Sequence, residues 1–353
     1  MDSLHTSEHI AAHCARYPLL QVEDLLKFLH QSTFGCGHLV SCPEAAEDWL
    51  HREMESCTTG GTEPLCGEFC RVHLGELSAQ GVTPRSFARL FALSAQKECG
   101  TAETLEAHLR EALAMAREGL LPFSYKALYD AVENWRAAGF PARHHSQEFR
   151  AAYAPAYRVL HRSHAALLPL LGRIDTLLSA QDRVVLAIEG GAGSGKSTLA
   201  ALLEQVYDAA VLHMDDFFLR PEQRTPQRYA TPGGNIDHER FSAEVLPALR
   251  QGKTFRYRPF DCGSFTVTQG YDVTPAPLTV VEGSYSLHPA LGRYYDCAVF
   301  LRITPQLQRQ RIEGRNSTAF AKRFFDTWIP LEQAYFETFD PAGRCDLILE
   351  ANV

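Results

Sequence analysis

The chain has 353 residues and a formal net charge of −8, with 45% hydrophobic and 22% charged residues. This composition is ordinary for a globular protein and argues against disorder, and the length suggests two domains. Neither half has the basic excess with which proteins bind phosphate backbones, so we expect no nucleic-acid partner. No apolar run approaches the roughly 18 residues of a membrane span, and the N-terminus lacks the pattern of a secretory signal. We therefore expect a cytoplasmic protein with no membrane partner.

The first 180 residues carry a helical pattern but no motif that assigns a chemistry. Apolar residues recur at helix-face spacing from about Ala11 to Ser179. The run from Ala151 to Leu178 is interrupted by Pro155 and Pro169 and should be kinked or split, because proline cannot continue a helix unperturbed. We predict an all-α domain over residues 1–180. Its role stays open between a dimerisation domain, which would make the protein a homo-oligomer, a regulatory domain, a cover for a cleft and a small metal-binding module.

Seven of the ten cysteines fall within the first hundred residues. Cys66, Cys70 and His73 form a C-x3-C-x2-H pattern that could supply zinc ligands. More soft ligands lie upstream, at Cys36, His38 and Cys42. The spacing is loose for a zinc site, and free cysteine is among the most buried residue types. Buried, reduced thiols are therefore the favoured interpretation, and zinc binding is the alternative.

The pattern changes near residue 180, after which short apolar runs alternate with amphipathic stretches. The runs are Val184–Ile188, Ala209–Leu212, Leu278–Val281, Cys297–Leu301 and Leu347–Leu349. Apolar runs without alternation are typical of strands that are covered on both faces, as in a parallel sheet with crossover helices. We predict a doubly wound α/β domain of the P-loop NTPase type over residues 181–353. Ligands of such sheets bind beyond the carboxyl ends of the strands.

A glycine-rich segment with the pattern G-x4-G-K-[ST] follows the first run directly. Its glycines allow successive backbone N–H groups to face phosphate oxygens, and the next helix adds its positive N-terminus. Lys196 supplies a cation for the β- and γ-phosphates, and the Ser197 hydroxyl is placed to bind Mg²⁺. We therefore predict ATP binding by Gly190, Gly191, Ala192, Gly193, Ser194, Gly195, Lys196, Ser197 and Thr198.

Acidic residues follow the second and third runs. Asp215 and Asp216 follow the second run, and Glu282 ends the third. A carboxylate that faces a phosphate loop can accept a proton from an attacking hydroxyl or hold Mg²⁺. The N-K-x-D signature of GTPases is absent from the sequence.

These motifs together resemble the uridine kinase and phosphoribulokinase group of P-loop kinases, over about residues 183–350. Asp215-Asp216-Phe217-Phe218 is similar to the family's D-x-F-Y, and Val281-Glu282-Gly283 to its E-G strand end. The other matches are Asp237 after a Pro-Gly-Gly-Asn turn, Tyr257–Asp261 as the P-x-Y-D segment, Arg311–Arg315 as the arginine lid and Cys345–Ile348 as the closing strand.

The resemblance implies an ATP- and Mg²⁺-dependent kinase that phosphorylates a hydroxyl of a small metabolite, with a uridine- or cytidine-like nucleoside as the leading acceptor. Asp215 would be the base, with Lys196, Arg311 and Arg315 on the transferring phosphoryl group. Ser197, Glu282 and Asp215 would hold Mg²⁺. The acceptor would contact Asp216, Asp237, Arg258 and Asp261.

Several alternatives stay open. Asp237 and Asp261 could instead be turn or cap residues, and Arg311 and Arg315 could belong to a solvated helix face. The chain reads Cys262-Gly263-Ser264-Phe265 where the nucleoside kinases carry a histidine. A sugar phosphate or a pantothenate- or glycerate-like acceptor therefore stays open, and so does an ATP-binding regulatory protein without kinase activity.

Overall fold

The computed structural model describes residues 5–35, 43–54, 57, 59–97 and 99–351. The chain divides into two compact units, Met1–Arg173 and Ile174–Val353. The division falls within the helix Leu168–Ala180, slightly before the change of sequence pattern near residue 180.

The N-terminal unit is mainly helical. Its helices are α1 Thr6–Arg16, α2 Val22–Phe34, α3 Pro43–Met54, α4 Leu74–Gln80, α5 Pro84–Ala95, α6 Ala102–Arg117, α7 Tyr125–Ala137, α8 Gln147–Tyr153 and α9 Arg162–Ala165, and α10 Leu168–Ala180 contains the boundary. Several helices begin at a side-chain cap: Thr83 accepts from the Ser86 N–H, and Ser124 accepts from the Ala127 N–H.

A three-stranded antiparallel sheet corrects the all-α prediction for this unit. Its strands are β1 Thr62–Pro64, β2 Phe69–His73 and β3 Tyr157–His161, in the order β1-β2-β3. The strands have only three to five residues, and β2 is buried at every position, so no alternating pattern marks them. The predicted break in the run from Ala151 to Leu178 is confirmed, because β3 follows Pro155 and separates α8 from α9.

Buried polar side chains join α1, α2 and the sheet of this unit. Glu63 accepts hydrogen bonds from Tyr17 (3.0 Å) and contacts His13 Nδ1 (2.7 Å) and Arg71 (3.4 Å). Arg71 is fully buried and donates to Gln31 Oε1 at 2.8 and 3.0 Å. We call the set the N-terminal polar network: His13, Tyr17, Asp24, Gln31, Glu63, Arg71, His145, Ser146 and Tyr157.

The other half of the network is centred on Asp24. This buried carboxylate accepts from Ser146 Oγ (2.7 Å), the Ser146 N–H (3.0 Å) and the Gln21 N–H (2.9 Å), and it lies 2.8 Å from His145 Nδ1. Burial opposes its ionisation, but the hydrogen bonds from His145, Gln21 and Ser146 outweigh burial and lower the pKa of Asp24 to about 2.

The C-terminal unit contains all five predicted apolar strands. Its main elements are β4 Val184–Gly190, α11 Lys196–Tyr207, β5 Ala210–His213, α12 Pro226–Ala230, α13 His238–Glu244, α14 Leu246–Gln251, β6 Phe255–Tyr257, β7 Phe260–Asp261, β8 Thr266–Val267, β9 Tyr271–Val273, β10 Leu278–Glu282, β11 Cys297–Arg302, α15 Pro305–Arg315, α16 Thr318–Arg323, α17 Ile329–Phe339 and β12 Leu347–Glu350. A π-helical turn, Phe324–Trp328, joins α16 to α17.

The five long strands form one parallel sheet in the order β12-β11-β4-β10-β5, which confirms the predicted P-loop α/β fold. Glu282 at the end of β10 pairs in register with Ile188 of β4 and His213 of β5. The carboxyl ends of β4, β10 and β5 therefore meet at one edge. Two short antiparallel pairs, β6–β9 and β7–β8, follow α14 and were not predicted. No helix in the described parts of the chain is long and apolar enough to cross a membrane.

Candidate functional site

The phosphate loop lies between β4 and α11, as its motif predicts. Gly190 and Gly195 have φ values of +149° and +102°, which side-chain-bearing residues rarely adopt. A Cβ on Gly190 would also lie 2.6 Å from the Leu301 carbonyl of the neighbouring strand β11. Lys196 is the first residue of α11, so the free N–H groups of that helix start face the loop. The loop can therefore hold a polyphosphate.

Lys196 is held at the start of the loop by three acceptors. Its ammonium donates to the carbonyls of Gly190 (2.8 Å) and Gly191 (3.0 Å) and to Ser284 Oγ (3.4 Å). Glu332 of α17 supports the same region, because it accepts from the Ala192 N–H (2.9 Å) and lies 2.6 Å from Ser284 Oγ. A buried carboxylate from a distant helix thus fixes both the loop and the serine beside the lysine.

Ser197 and Glu282 lie together, as the magnesium prediction requires. Ser197 Oγ donates to Glu282 Oε1 at 2.9 Å, and His213 Nδ1 lies 2.6 Å from the same oxygen. In the described residues no group of three or more His, Cys, Asp or Glu side chains could hold a metal by itself. Mg²⁺ in phosphate-binding sites needs only one or two protein oxygens and takes the remainder from phosphates and water. The hydroxyl and carboxylate oxygens of this pair fit that requirement.

Asp215 lies in the short 3₁₀ turn Met214–Phe217 that follows β5. Its side chain is exposed. The pKa of Asp215 is raised, first by loss of hydration in the cleft and then by the negative charges of Glu282 and Glu332, while Lys196 acts in the opposite direction. A carboxylate with a raised pKa is a better proton acceptor, which suits a general base.

Asp216, the next residue, has a different environment. Its carboxylate accepts from the buried Tyr257 hydroxyl at 2.7 Å, and its backbone carbonyl accepts from Arg240 at 2.6 Å. The same Tyr257 hydroxyl accepts from the His213 N–H at 3.0 Å. Asp216 thus anchors the turn that carries Asp215, and a substrate contact for Asp216 stays a prediction.

The other predicted acceptor-binding residues occupy cap, turn and ion-pair positions. Asp237 is fully buried, caps α13 through the Arg240 N–H (3.1 Å) and accepts from Arg220 Nε (3.2 Å). Asp261 accepts from the Gly263 N–H (2.9 Å) and from Ser264 Oγ (2.7 Å) in its own turn. These contacts match the alternative interpretation of both residues as cap or turn residues. Arg258 pairs with Glu244, and its Nε lies 3.3 Å from Glu244 Oε2.

The two predicted lid arginines differ in position. Arg311 donates to the Gly193 carbonyl of the phosphate loop (3.1 Å) and to the Ala351 carbonyl. Arg315 is exposed, with its guanidinium 5.9 Å from the Phe324 ring centre. Arg311 therefore clamps the outer side of the loop backbone, and contact of either arginine with a transferring phosphoryl group stays a prediction.

Four residues at this edge were not predicted as functional: His213, Arg240, Ser284 and Glu332. His213 and Ser284 stand beside predicted residues at strand ends, and that position was the available signal. Glu332 lies about fifty residues beyond Glu282 on a helix without a motif, and Arg240 looks like an ordinary residue of a polar helix. Only the tertiary structure brings these two to the site.

The cysteine pattern of the N-terminal unit forms no metal cluster in the described residues. Cys66 and Cys70 are buried free thiols, as the favoured interpretation expects, and burial raises the pKa of Cys66 to about 11 and of Cys70 to about 12. The nearby His73 imidazole lies 3.9 Å from Glu63. The upstream Cys36, His38 and Cys42, like the loop residue Gly37, lie outside the described residues.

Comparison with known proteins gives several related kinases, although no protein-family model matches the chain. The chain is 29% identical over 187 residues to the bifunctional alpha-galactosidase/sucrose kinase AgaSK of Mediterraneibacter gnavus, with 45% of this chain but only 19% of that protein covered. It is 28% identical over 171 residues to the uridine kinase of Alkaliphilus metalliredigens, covering 44% of this chain and 81% of that kinase. The uridine kinase of Ligilactobacillus salivarius is 28% identical over 185 residues, covering 47% and 84%.

A solved structure of a possible uridine kinase from Bacillus stearothermophilus is also similar. It has 22% identity and a TM-score of 0.37, and the match covers 51% of this chain and 98% of that one. The two uridine kinase relatives confirm the resemblance drawn from the sequence motifs. The chain is thus similar to uridine kinases over a little under half of its length.

Proposed function

We propose that the protein is an ATP- and Mg²⁺-dependent kinase that transfers the γ-phosphoryl group to a hydroxyl of a small polar molecule. One observation carries the proposal: the ends of β4, β10 and β5 bring Lys196, the Ser197–Glu282 pair and Asp215 to one edge of the sheet. These are the groups that phosphoryl transfer needs, namely a phosphate-binding cation, oxygen ligands for a divalent ion and a carboxylate base.

The roles follow from the chemistry of each group. The loop N–H groups and Lys196 bind the triphosphate and hold its γ-phosphorus in line with the acceptor. Asp215 takes the proton of the acceptor hydroxyl while the new oxygen–phosphorus bond forms and the β–γ bridging oxygen leaves with ADP. Ser197 and Glu282 would hold Mg²⁺, which neutralises charge on the phosphates when it is bound. Glu332 and Ser284 position the loop and the lysine.

The acceptor is the finer part of the proposal. The uridine kinase relatives favour a uridine- or cytidine-like nucleoside, as the sequence resemblance implied. The sucrose kinase relative favours a sugar hydroxyl instead. Both are small, neutral and rich in hydroxyl groups, so both suit an aspartate base.

A direct test measures ADP release by the full-length protein with ATP and Mg²⁺ over a panel of nucleosides, sugars and hydroxy acids. We expect ADP release that depends on an acceptor and is lost in Lys196→Ala. The matched control is Lys253→Ala, because Lys253 is exposed after α14 and away from the phosphate loop. If the protein binds the nucleotide but releases no ADP with any acceptor of the panel, the result would contradict the proposal and favour a regulatory ATP-binding protein.

A further inference from the structure

A cavity of about 620 Å³ is lined in part by Arg240, which donates to the backbone carbonyl of Asp216. Three arginines and four carboxylates line it, together with a few apolar groups. Its principal polar side chains are Arg220, Asp237, Arg240, Glu244 and Arg258. Ligand cavities of this size are commonly lined mainly by apolar groups. A wall this rich in donors and acceptors suits a ligand whose own surface is covered with hydrogen-bonding groups.

The charges of the cavity wall are arranged as opposite pairs. Arg220 Nε lies 3.2 Å from Asp237 Oδ2, and Arg258 Nε lies 3.3 Å from Glu244 Oε2. With four carboxylates against three guanidinium groups, the wall has no positive excess. A phosphorylated or carboxylated acceptor would compete with acids that already hold the arginines and would be repelled by them. The arrangement therefore favours an uncharged ligand.

Arg240 connects the cavity to the catalytic turn. Its side chain is only 6% exposed, and it donates to the backbone carbonyls of Asp216 and Arg258, each at 2.6 Å. Its Nε has no hydrogen-bond partner, and the Asp237 carboxylate lies 3.8 Å away. A buried, unsatisfied N–H on a charged group is costly, and a small shift would let it donate to a ligand hydroxyl. The wall thus holds an unsatisfied donor on the arginine that also bonds to the Asp216 carbonyl.

The apolar part of the wall is small. Phe265 is the only aromatic residue among those that line the cavity, and the other apolar lining residues are Pro221 and Val267. The Phe265 side chain is 50% exposed, and its backbone φ is +57°. A nucleobase is recognised best between two flat apolar faces, which this wall does not offer. One exposed ring among paired polar groups suits the C–H face of a pyranose or furanose, whose hydroxyls then point to the arginines and carboxylates.

We propose that the acceptor is an uncharged saccharide without a nucleobase, bound in this cavity by Arg258, Glu244 and Arg240 and stacked on Phe265. The inference rests on the proposed kinase function and selects between its two acceptor classes. Arg258 and Glu244 each offer hydrogen bonds to adjacent hydroxyls, and Arg240 holds the cavity wall to the turn of Asp215.

The test compares mono- and disaccharides with uridine, cytidine and glucose 6-phosphate as acceptors for ADP release. We expect release with one or more free saccharides, and much weaker release with the nucleosides and the sugar phosphate. The variant Arg258→Ala should raise the KM for the saccharide about tenfold or more and leave the KM for ATP unchanged, because a charge-assisted hydrogen bond is lost. The matched control is Arg256→Ala. Arg256 lies two residues before Arg258, pairs with the exposed Asp272 and does not line the cavity.

The outcomes separate this inference from the proposed function. Acceptor-dependent release with nucleosides but not saccharides overturns the saccharide inference and leaves the kinase function intact. Equal effects of Arg258→Ala and Arg256→Ala on the saccharide KM would also overturn it. If no acceptor supports ADP release, calorimetry with the same saccharides in the presence of ADP and Mg²⁺ decides: binding that Arg258→Ala weakens supports the cavity assignment while the kinase function fails, and no binding overturns both.

Discussion

The two units of the chain use charged side chains in opposite ways. In the C-terminal unit, Lys196, Asp215 and Glu282 lie at the carboxyl edge of the parallel sheet, at a helix start, in a turn and at a strand end. In the N-terminal unit, Asp24, Glu63 and Arg71 are buried at 0–4% exposure and are satisfied by each other and by histidines and tyrosines. The arrangement in the C-terminal unit is visible as a sequence motif, because ligand binding fixes the spacing of residues along one loop. The second leaves none, because its members come from distant parts of the chain.

The two units also differ in how many histidines they contain. Twelve of the 15 histidines lie before residue 174. Within the N-terminal unit, burial lowers the pKa of His13 and of His164 to about 4. The N-terminal unit therefore holds neutral histidines inside its core.

The largest expected effect concerns the C-terminal unit. Asp215→Asn should lower kcat by about 10²- to 10⁴-fold, the usual contribution of a general base, and leave ATP binding nearly unchanged. Steady-state kinetics and nucleotide titration measure the two quantities. Asp216→Asn is the control, because its side chain can still accept from Tyr257, and its kcat should fall less than tenfold. A similar loss in both variants would show that the turn, and not Asp215, matters.

The N-terminal polar network gives the next effect, on stability. Asp24→Ala leaves His145 and Ser146 without their buried partner and should destabilise the N-terminal unit by about 3 kcal/mol. Hydrogen exchange followed by mass spectrometry resolves the change by unit. Glu23→Ala, at the exposed neighbouring position of α2, should change stability by less than about 0.5 kcal/mol. Equal protection in the two variants would contradict a structural role for the network.

Acid should lower the stability of the N-terminal unit more than that of the C-terminal unit. The folded pKa of His13 lies near 4, below its ordinary 6.5, so its contribution to stability is complete above pH 6.5 and is lost as the pH falls toward 4. Asp24 and Glu63, each with a pKa of about 2, lose their contributions below about pH 4.5. We expect the change at His13 alone to cost the N-terminal unit roughly 2 kcal/mol between pH 7 and pH 5.

The C-terminal unit should respond less over the same range. Burial raises the pKa of Glu189 to about 7, so its contribution is complete at low pH and is lost as the pH rises through 7, opposite to His13. His288, with a pKa lowered to about 4, partly offsets this gain in acid. Hydrogen exchange at pH 7 and pH 5 checks the difference, and equal loss of protection in both units would contradict it.

The smallest expected effect comes from a carboxylate that acts only through other groups. Glu332→Ala removes the acceptor of the Ala192 N–H and of Ser284, so the loop should bind ATP about tenfold more weakly. We expect a higher KM for ATP and little change in kcat. Glu337→Ala on the exposed side of α17 is the control. A loss confined to kcat would show that Glu332 takes part in the chemical step instead of positioning the loop.

Sequence reasoning succeeded where one segment contains the whole signal. The five strands of the parallel sheet were predicted because each is a continuous apolar run, and the phosphate loop because its spacing reflects one local geometry. It missed β1–β3, since strands of only three to five residues are too short for a period to stand out, and β2 is buried at every position. It also missed Arg240 and Glu332, whose partners lie far along the chain, and it left Asp237 open between cap and ligand because aspartate serves both roles equally well.

The ammonium of Lys196 already has two peptide carbonyls as acceptors within the loop that it serves. Entry of a phosphate is therefore an exchange of partners, and the affinity that Lys196 adds is the difference between the two sets of bonds. A charged group that already has hydrogen-bond acceptors before its ligand arrives costs the folded chain little free energy to hold in place. In the proposed kinase, the lysine would regain these two carbonyls once the product has left.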